Sequence, residues 1–337
     1  MRALLVSSLA GPLLLSTGAL LSQDRYPVHQ LTTHPAQEGF PTWSPDGTRI
    51  AYALIAQPGD TGLTGLWMVS AEGGEPERVL GEIAEHPDWS PDGQYVAFDA
   101  DSGAAIRLVA AHGGQPIRLV PSSIPVLRGG MPNWSPDGTR IVFKGARPVL
   151  WVLDVRTGDA RVVFGAEGTL PIPGCWAPDG SAVYFIRRNI DSQRSTIWAA
   201  PLDPGPPRQV TPESDRPYRY LDLSPDGTLL AFSWCEGRNC DLWVAPAGVG
   251  RPVRLTMDPA YDDTPRWSPD GRRIAFTSTR ADGFDVWIMT LDVEDSRGCG
   301  GGPARRARSL SRCHEAKPLV TRCSDRAARG RKPDDLT

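Results

Sequence analysis

Apolar residues in this chain come in short alternating runs, and each run follows a cluster of turn-forming residues. Arg49-Ile50-Ala51-Tyr52-Ala53 and Arg273-Ile274-Ala275-Phe276-Thr277 are two of them, and their period of two predicts β-strands packed on their faces. The pattern recurs six times. Trp43 to Ala51 reads WSPDGTRIA, Trp89 to Ala97 WSPDGQYVA, and Trp134 to Val142 WSPDGTRIV. Trp176 to Val183 reads WAPDGSAV, Leu223 to Ala231 LSPDGTLLA, and Trp267 to Ala275 WSPDGRRIA. The starts lie 46, 45, 42, 47 and 44 residues apart, a period that predicts a propeller of four-stranded blades. A second landmark follows about twenty residues on: Leu66-Trp67, Leu150-Trp151, Ile197-Trp198, Leu242-Trp243 and Val286-Trp287, with Ile106-Arg107 as the deviant copy.

The Ser-Pro-Asp-Gly element has a local cause. Proline sets φ for a type I turn, aspartate bonds nearby backbone N–H groups, and glycine accepts the left-handed conformation that follows. Asp46, Asp92, Asp137, Asp179, Asp226 and Asp270 are therefore expected to be turn residues, one to a blade, and not catalytic or metal carboxylates. Ten of the 11 tryptophans occupy one of the two landmarks, which assigns them to packing between blades. An Arg-x-Leu-Thr type strand ends a repeat, as in Arg254-Leu255-Thr256, whereas His29-Gln30-Leu31-Thr32 has no blade before it. The sixth repeat loses its pattern after Met289. Pairing of the N-terminal strand with that last blade would close the ring and remove an exposed edge.

These units resemble the WD-like propeller repeats of the TolB family, and related blades occur in tricorn-type proteases and prolyl-oligopeptidase relatives. The resemblance covers Tyr26 to Val293 and implies an all-β, six-bladed propeller. It implies a function much less sharply, because one propeller hosts many roles. TolB proteins carry an α/β domain ahead of the propeller, and the short interval before Trp43 leads us to expect none here.

Charge and composition divide the chain further. Residues 1–22 follow a secretory leader pattern, with Arg2, an apolar stretch and small residues near Gly18, so an exported protein without a retained membrane span is expected. Residues 23–293 hold 24 basic and 33 acidic residues, a net of -9, and 294–337 hold 11 against 6, a net of +5. The acidic propeller gives no reason to expect nucleic acid. The tail, without aromatics, reads as disordered; an arm for an acidic partner and an out-of-frame terminus remain open.

Chemistry is sparse. There is no G-x-S-x-G, P-loop or H-E-x-x-H motif, and the five histidines fall in different units, so neither metal nor cofactor is expected. Asp99 to Gly103 contains part of a calcium-loop pattern without its later ligands and is read as a turn. Cys235 and Cys240 flank a hairpin mouth and suit a disulfide in an exported chain. Cys175 is expected as a buried thiol, and Cys299, Cys313 and Cys323 are unassigned. Three to five residues before each landmark, the innermost strands start near the central channel, and there the sequence varies most. Glu38, Glu85, His86, Arg219, Tyr220, Asp262 and Asp263 are the candidate binding residues of that mouth. The expected function is a non-catalytic, monomeric binding module, periplasmic or secreted, for a protein or peptide of the cell envelope. The alternatives are a lyase or hydrolase using Glu85, His86 and a metal on Asp262 and Asp263, an enzyme-accessory propeller, or a piece of a longer propeller protein.

Overall fold

Each repeat folds into four antiparallel strands, and six such sheets form the computed structural model of the protein. It describes residues 24–56, 61–100, 105–124, 126, 130–146, 149–237, 239–248, 250–281 and 283–291. The expected leader, the basic tail with its three cysteines, and Asp101 to Gly103 lie outside them. The innermost strands are Gln37–Trp43, Glu85–Trp89, Asn133–Trp134, Thr169–Trp176, Tyr218–Leu223 and Asp262–Trp267. Among the described residues no helix is long and apolar enough to cross a membrane.

The core is a ladder of equivalent rings. The second strands place Tyr52, Phe98, Phe143, Phe185, Phe232 and Phe276 at one repeat position, all fully buried. The first-landmark tryptophans then join neighbours. Trp89 packs with Leu66 and Met68 of the preceding blade, Trp134 with Ile106 and Leu108, and Trp43 with Val286 and Ile288 of the last blade. Burying one such indole is worth about 4 kcal/mol as an upper figure, so the seams carry much of the stability.

The Ser-Pro-Asp-Gly turns repeat atom for atom. The Ser44 hydroxyl donates to Asp46 at 2.6 Å, Thr48 N–H donates to the same carboxylate at 3.0 Å, and Arg49 N–H donates to the Ser44 hydroxyl at 2.9 Å. Asp92, Asp137, Asp226 and Asp270 accept the corresponding serine hydroxyls. In blade four Ala177 replaces that serine, and Asp179 takes the Ser181 hydroxyl instead, at 2.6 Å. These bonds favour the ionised form, and the Ser135 hydroxyl draws Asp137 down to about 2.

Closure follows the expected route. Val28–Gln30 pairs antiparallel with the last strand, Val28 opposite Met289 and Gln30 opposite Trp287. Thr32 then does what the other repeat-end threonines do. Its hydroxyl accepts Val286 N–H at 2.9 Å, as Thr211 accepts Ile197 N–H and Thr256 accepts Leu242 N–H. Ahead of this strand, Asp24 accepts Met257 N–H at 2.8 Å and pairs with Arg280, which also holds Asp262 at 2.6 Å. Cys235 and Cys240 are disulfide-bonded across their hairpin.

Glu38 lies in the closing seam between blades one and six. Its backbone N–H donates to Phe284 C=O at 2.8 Å, and its carboxylate accepts His34 N–H at 3.2 Å. Burial, chiefly, pushes its carboxyl up to about 7. The folded state therefore holds a proton that the unfolded chain releases near 4.5, so the protein loses stability as pH rises from about 4.5 to 7. Glu38→Gln removes this loss. Thermal unfolding should show the variant near wild type at pH 5 and more stable at pH 8, by roughly 2–3 kcal/mol; a difference that does not grow with pH would refute the assignment.

Candidate functional site

Three residues before the landmark, the innermost strands make an unusual step. Phe40, His86, Met131, Tyr220 and Thr264 have φ of 55°, 47°, 52°, 32° and 54°, in the left-handed region that non-glycine residues avoid. Each costs on the order of 1 kcal/mol or more, and a position strained in five blades is held by the fold. Proline follows the step in four blades, at Pro41, Pro87, Pro132 and Pro265. Blade four instead has Pro173 at the step itself. Strand register slips at the same place, for example between Gly39 and Thr42 and between Glu85 and Asp88. This bulge turns the stepped side chains of all blades toward a common small cavity on the axis.

The result is a floor across the channel. Phe40 and His86 ring centroids are 4.2 Å apart, and Tyr220 lies 5.9 Å from Phe40 and 6.0 Å from His86. His86 Nδ1 lies 2.9 Å from Asp99, a buried carboxylate that also accepts Met131 N–H of the next blade at 3.1 Å. Opposite, Asp263 accepts the Tyr261 hydroxyl at 2.6 Å and Thr264 N–H at 2.9 Å, bonds the Ser233 hydroxyl, and pairs with Arg219 at 3.3 Å. Burial opposes the Arg219 charge, but Asp263 together with Tyr261 and Tyr220 outweighs it and its pKa rises. Burial, with Asp263 nearby, pushes the Tyr220 phenol up to about 12, so it stays a neutral donor.

Of the seven expected mouth residues, five gather here: Glu85, His86, Arg219, Tyr220 and Asp263. Glu38 and Asp262 do not. They sit five residues before the landmark, where Ala84, Pro171 and Tyr218 are also buried, and they face the seams. Asp262 bonds Ser278 and Arg280 while Asp263 bonds Arg219 and Tyr261, so the expected convergence of the two on one metal is corrected. Among the described residues no group of three or more metal-binding side chains occurs. The sequence reading missed Asp99, Tyr261, Lys144 and Arg188, which reach the mouth from second strands and loops. For Asp99 and Lys144 the signal was a departure from the repeat consensus directly after the buried aromatic ring; Arg188 and Tyr261 carried none.

Below the floor the channel widens into a funnel of about 310 Å³ toward the Ser-Pro-Asp-Gly face. The residues one before the landmark line it: Thr42, Asp88, Asn133, Cys175, Asp222 and Arg266. Asp88 accepts Trp134 N–H at 2.7 Å and Asp222 accepts Trp267 N–H at 2.8 Å, so each carboxylate ties its blade to the next. Burial pushes Asp88 up to about 6, with Arg266 pulling the other way. The Cys175 thiol is buried and its pKa raised by desolvation. A wider groove of about 600 Å³ between blades one and two is lined largely by turn residues whose carboxylates are already engaged.

Removal of the Asp263 carboxylate strips four donors of their shared acceptor. Asp263→Ala should cost about 3 kcal/mol in urea unfolding, and Arg219→Ala, whose side chain is 38% exposed, about 1 kcal/mol or less. Equal losses would show that Asp263 is held by Arg219 alone.

No family model matches the chain. The Tol-Pal system protein TolB of Anaeromyxobacter dehalogenans is 35% identical over 123 residues, 34% of this chain and 25% of that protein. The chain spans between a quarter and about half the length of the curated relatives it matches first. Among solved structures, TolB from Acinetobacter baumannii aligns with a TM-score of 0.54 at 19% identity, over 76% of this chain and 63% of that one. An oligogalacturonate lyase in complex with manganese aligns with a TM-score of 0.55 at 17% identity, over 80% and 95%. Enzymes and a Tol-Pal protein thus share this architecture, and the likeness speaks to fold. The chain is a TolB-like six-bladed β-propeller.

Proposed function

We propose that this protein is an exported, non-catalytic binding module, periplasmic or secreted, that holds a protein or peptide of the cell envelope at the mouth of its channel. The carrying observation is the floor of stepped side chains. Five blades spend backbone strain, and all six bring different side chains to one small central cavity, where the Phe40, His86 and Tyr220 rings pack together. Such a surface, with Phe40, His86 and Tyr220 at its centre and Glu85 and Arg219 beside them, offers an apolar centre with a polar margin. Asp99, which holds His86, and Asp263, which holds Arg219, already serve the scaffold. Similarity to a Tol-Pal system protein and the leader pattern at 1–22 support the envelope assignment.

A second reading rests on the His86 and Asp99 pair. With Nδ1 held by a carboxylate, the imidazole has the orientation of an acid–base group, and a lyase shares the fold. Under that reading His86→Ala abolishes turnover of an oligosaccharide substrate while the protein stays folded.

Photo-crosslinking separates the two. A benzophenone side chain at position 85 should capture a protein or peptide in envelope preparations of the source cell, and one at the outer position 156 should not. Arg219→Ala should cut the position-85 adduct at least fivefold. Equal adducts at both positions, or none at 85, would overturn the mouth as the binding surface.

A further inference from the structure

One sector of the mouth departs from the scaffold chemistry of the others. In the second strand, the position after the buried ring is Asp99 in blade two, Ser233 in blade five and Thr277 in blade six, and each bonds across to the following blade. Asp99 accepts Met131 N–H, Ser233 bonds Asp263, and Thr277 accepts Phe40 N–H at 3.2 Å. In blade three that position is Lys144, and the facing step residue of blade four is Pro173, which has no N–H. An acceptor has been replaced where its donor is missing, and the replacement is a cation.

Lys144 is 9% exposed and, among the described residues, makes no side-chain hydrogen bond or ion pair. Its electrostatic neighbours are Asp99, already bonded to His86 and Met131 N–H, and Arg188. Arg188 comes from blade four. Its Nη2 reaches Tyr218 C=O at 3.3 Å, its Nε is buried without a partner, and among the described residues no carboxylate lies within ion-pair distance. Its own neighbours are Arg219, neutralised by Asp263, and Tyr220. Burial is the main cause that depresses the pKa of both Lys144 and Arg188; for Lys144 Asp99 pulls the other way and Arg188 adds to the fall, and for Arg188 the added cation is Arg219. Two desolvated cations that share only Asp99, a carboxylate already bonded to His86 and Met131 N–H, in a propeller whose net charge is -9, are costly unless a ligand completes them.

We propose that Lys144 and Arg188 form a carboxylate-binding niche in the mouth, which clasps a carboxylate of the bound peptide beside the Tyr220 phenol. The proposal rests on the mouth being the peptide site. Lys144 and Arg188 set against Asp99 leave one positive charge in excess, which a singly charged carboxylate balances and a dianionic phosphate overshoots. The guanidinium supplies a planar pair of donors and the ammonium a point charge, and such charge-assisted bonds are the strong ones.

Lys144 can be observed directly, because the other two lysines, Lys317 and Lys332, lie in the tail. In full-length protein labelled with 13Cε-lysine, the Lys144 signal, assigned by its loss in Lys144→Met, is followed during three titrations. The probes are Ac-Ala-Ala-Ala with a free carboxylate, its C-terminal amide, and Ac-Ala-Glu-Ala amide. Saturable movement with the first alone identifies a chain terminus, and movement with the third identifies an acidic side chain. In either case the Lys144 pKa should rise by about one unit on binding, and Arg188→Gln should weaken the effect about tenfold. No movement with either carboxylate, or equal movement with the amide, overturns the niche. If position 85 still crosslinks a partner while Lys144 is silent, the niche fails and the mouth stands. If Lys144 responds while position 85 captures nothing, the envelope-partner reading fails and the niche stands.

Discussion

A four-stranded blade has two apolar faces and cannot cover either alone, so every element of this protein depends on the face-to-face contact between consecutive blades. Trp89, Trp134, Trp176 and, in blade five, Leu223 lie on the strands of the blade before, and in the closing seam Trp43 lies on strands nearly 250 residues later. That contact requires a ring. The last repeat supplies only three strands of its own, and the N-terminal strand completes that sheet as its fourth, which ties the two ends of the ring together. Thr32 makes the substitution exact in chemistry, since it gives Val286 the same hydroxyl that other blades draw from their own outer strand.

Closure has a cost at the axis. Six innermost strands converge where side chains of ordinary orientation would either collide or leave a hole, and the left-handed step with its bulge resolves the crowding. It aims one side chain per blade at the centre and rotates the next ones away. The floor of Phe40, His86 and Tyr220 follows from this packing, and so does the separation of a mouth above it from a funnel below. Candidate site and scaffold therefore share residues: Asp99 and Asp263 lock the blades while holding His86 and Arg219. Lys144 stands out because the facing residue, Pro173, offers it no such bond.

The turns and rings were legible in the sequence because their causes are local. Ser44, Pro45, Asp46 and Gly47 specify their turn within a few residues, and the period specifies the blade. The mouth was legible only in part. Counting back from Trp267 at strand spacing puts Asp262 on the channel face, but the step at Thr264 shifts the count and sends it to Arg280 in the seam. Glu38 is displaced for the same reason by the step at Phe40. Nothing in a linear pattern announces a bulge whose strain is repaid by contacts from five other blades.

Sequence alone thus determined the unit, its number and its closure, since turn chemistry, alternation and repeat spacing act over short distances or by simple count. Tertiary structure decided which side chains meet at the axis. Asp99 reaches His86 within one blade and Met131 in the next, Arg219 reaches Asp263, and Lys144 faces Arg188 only because the ring brings separate blades together. Those encounters depend on the register of each bulged strand and on the angle between blades, which are set by packing over the whole ring.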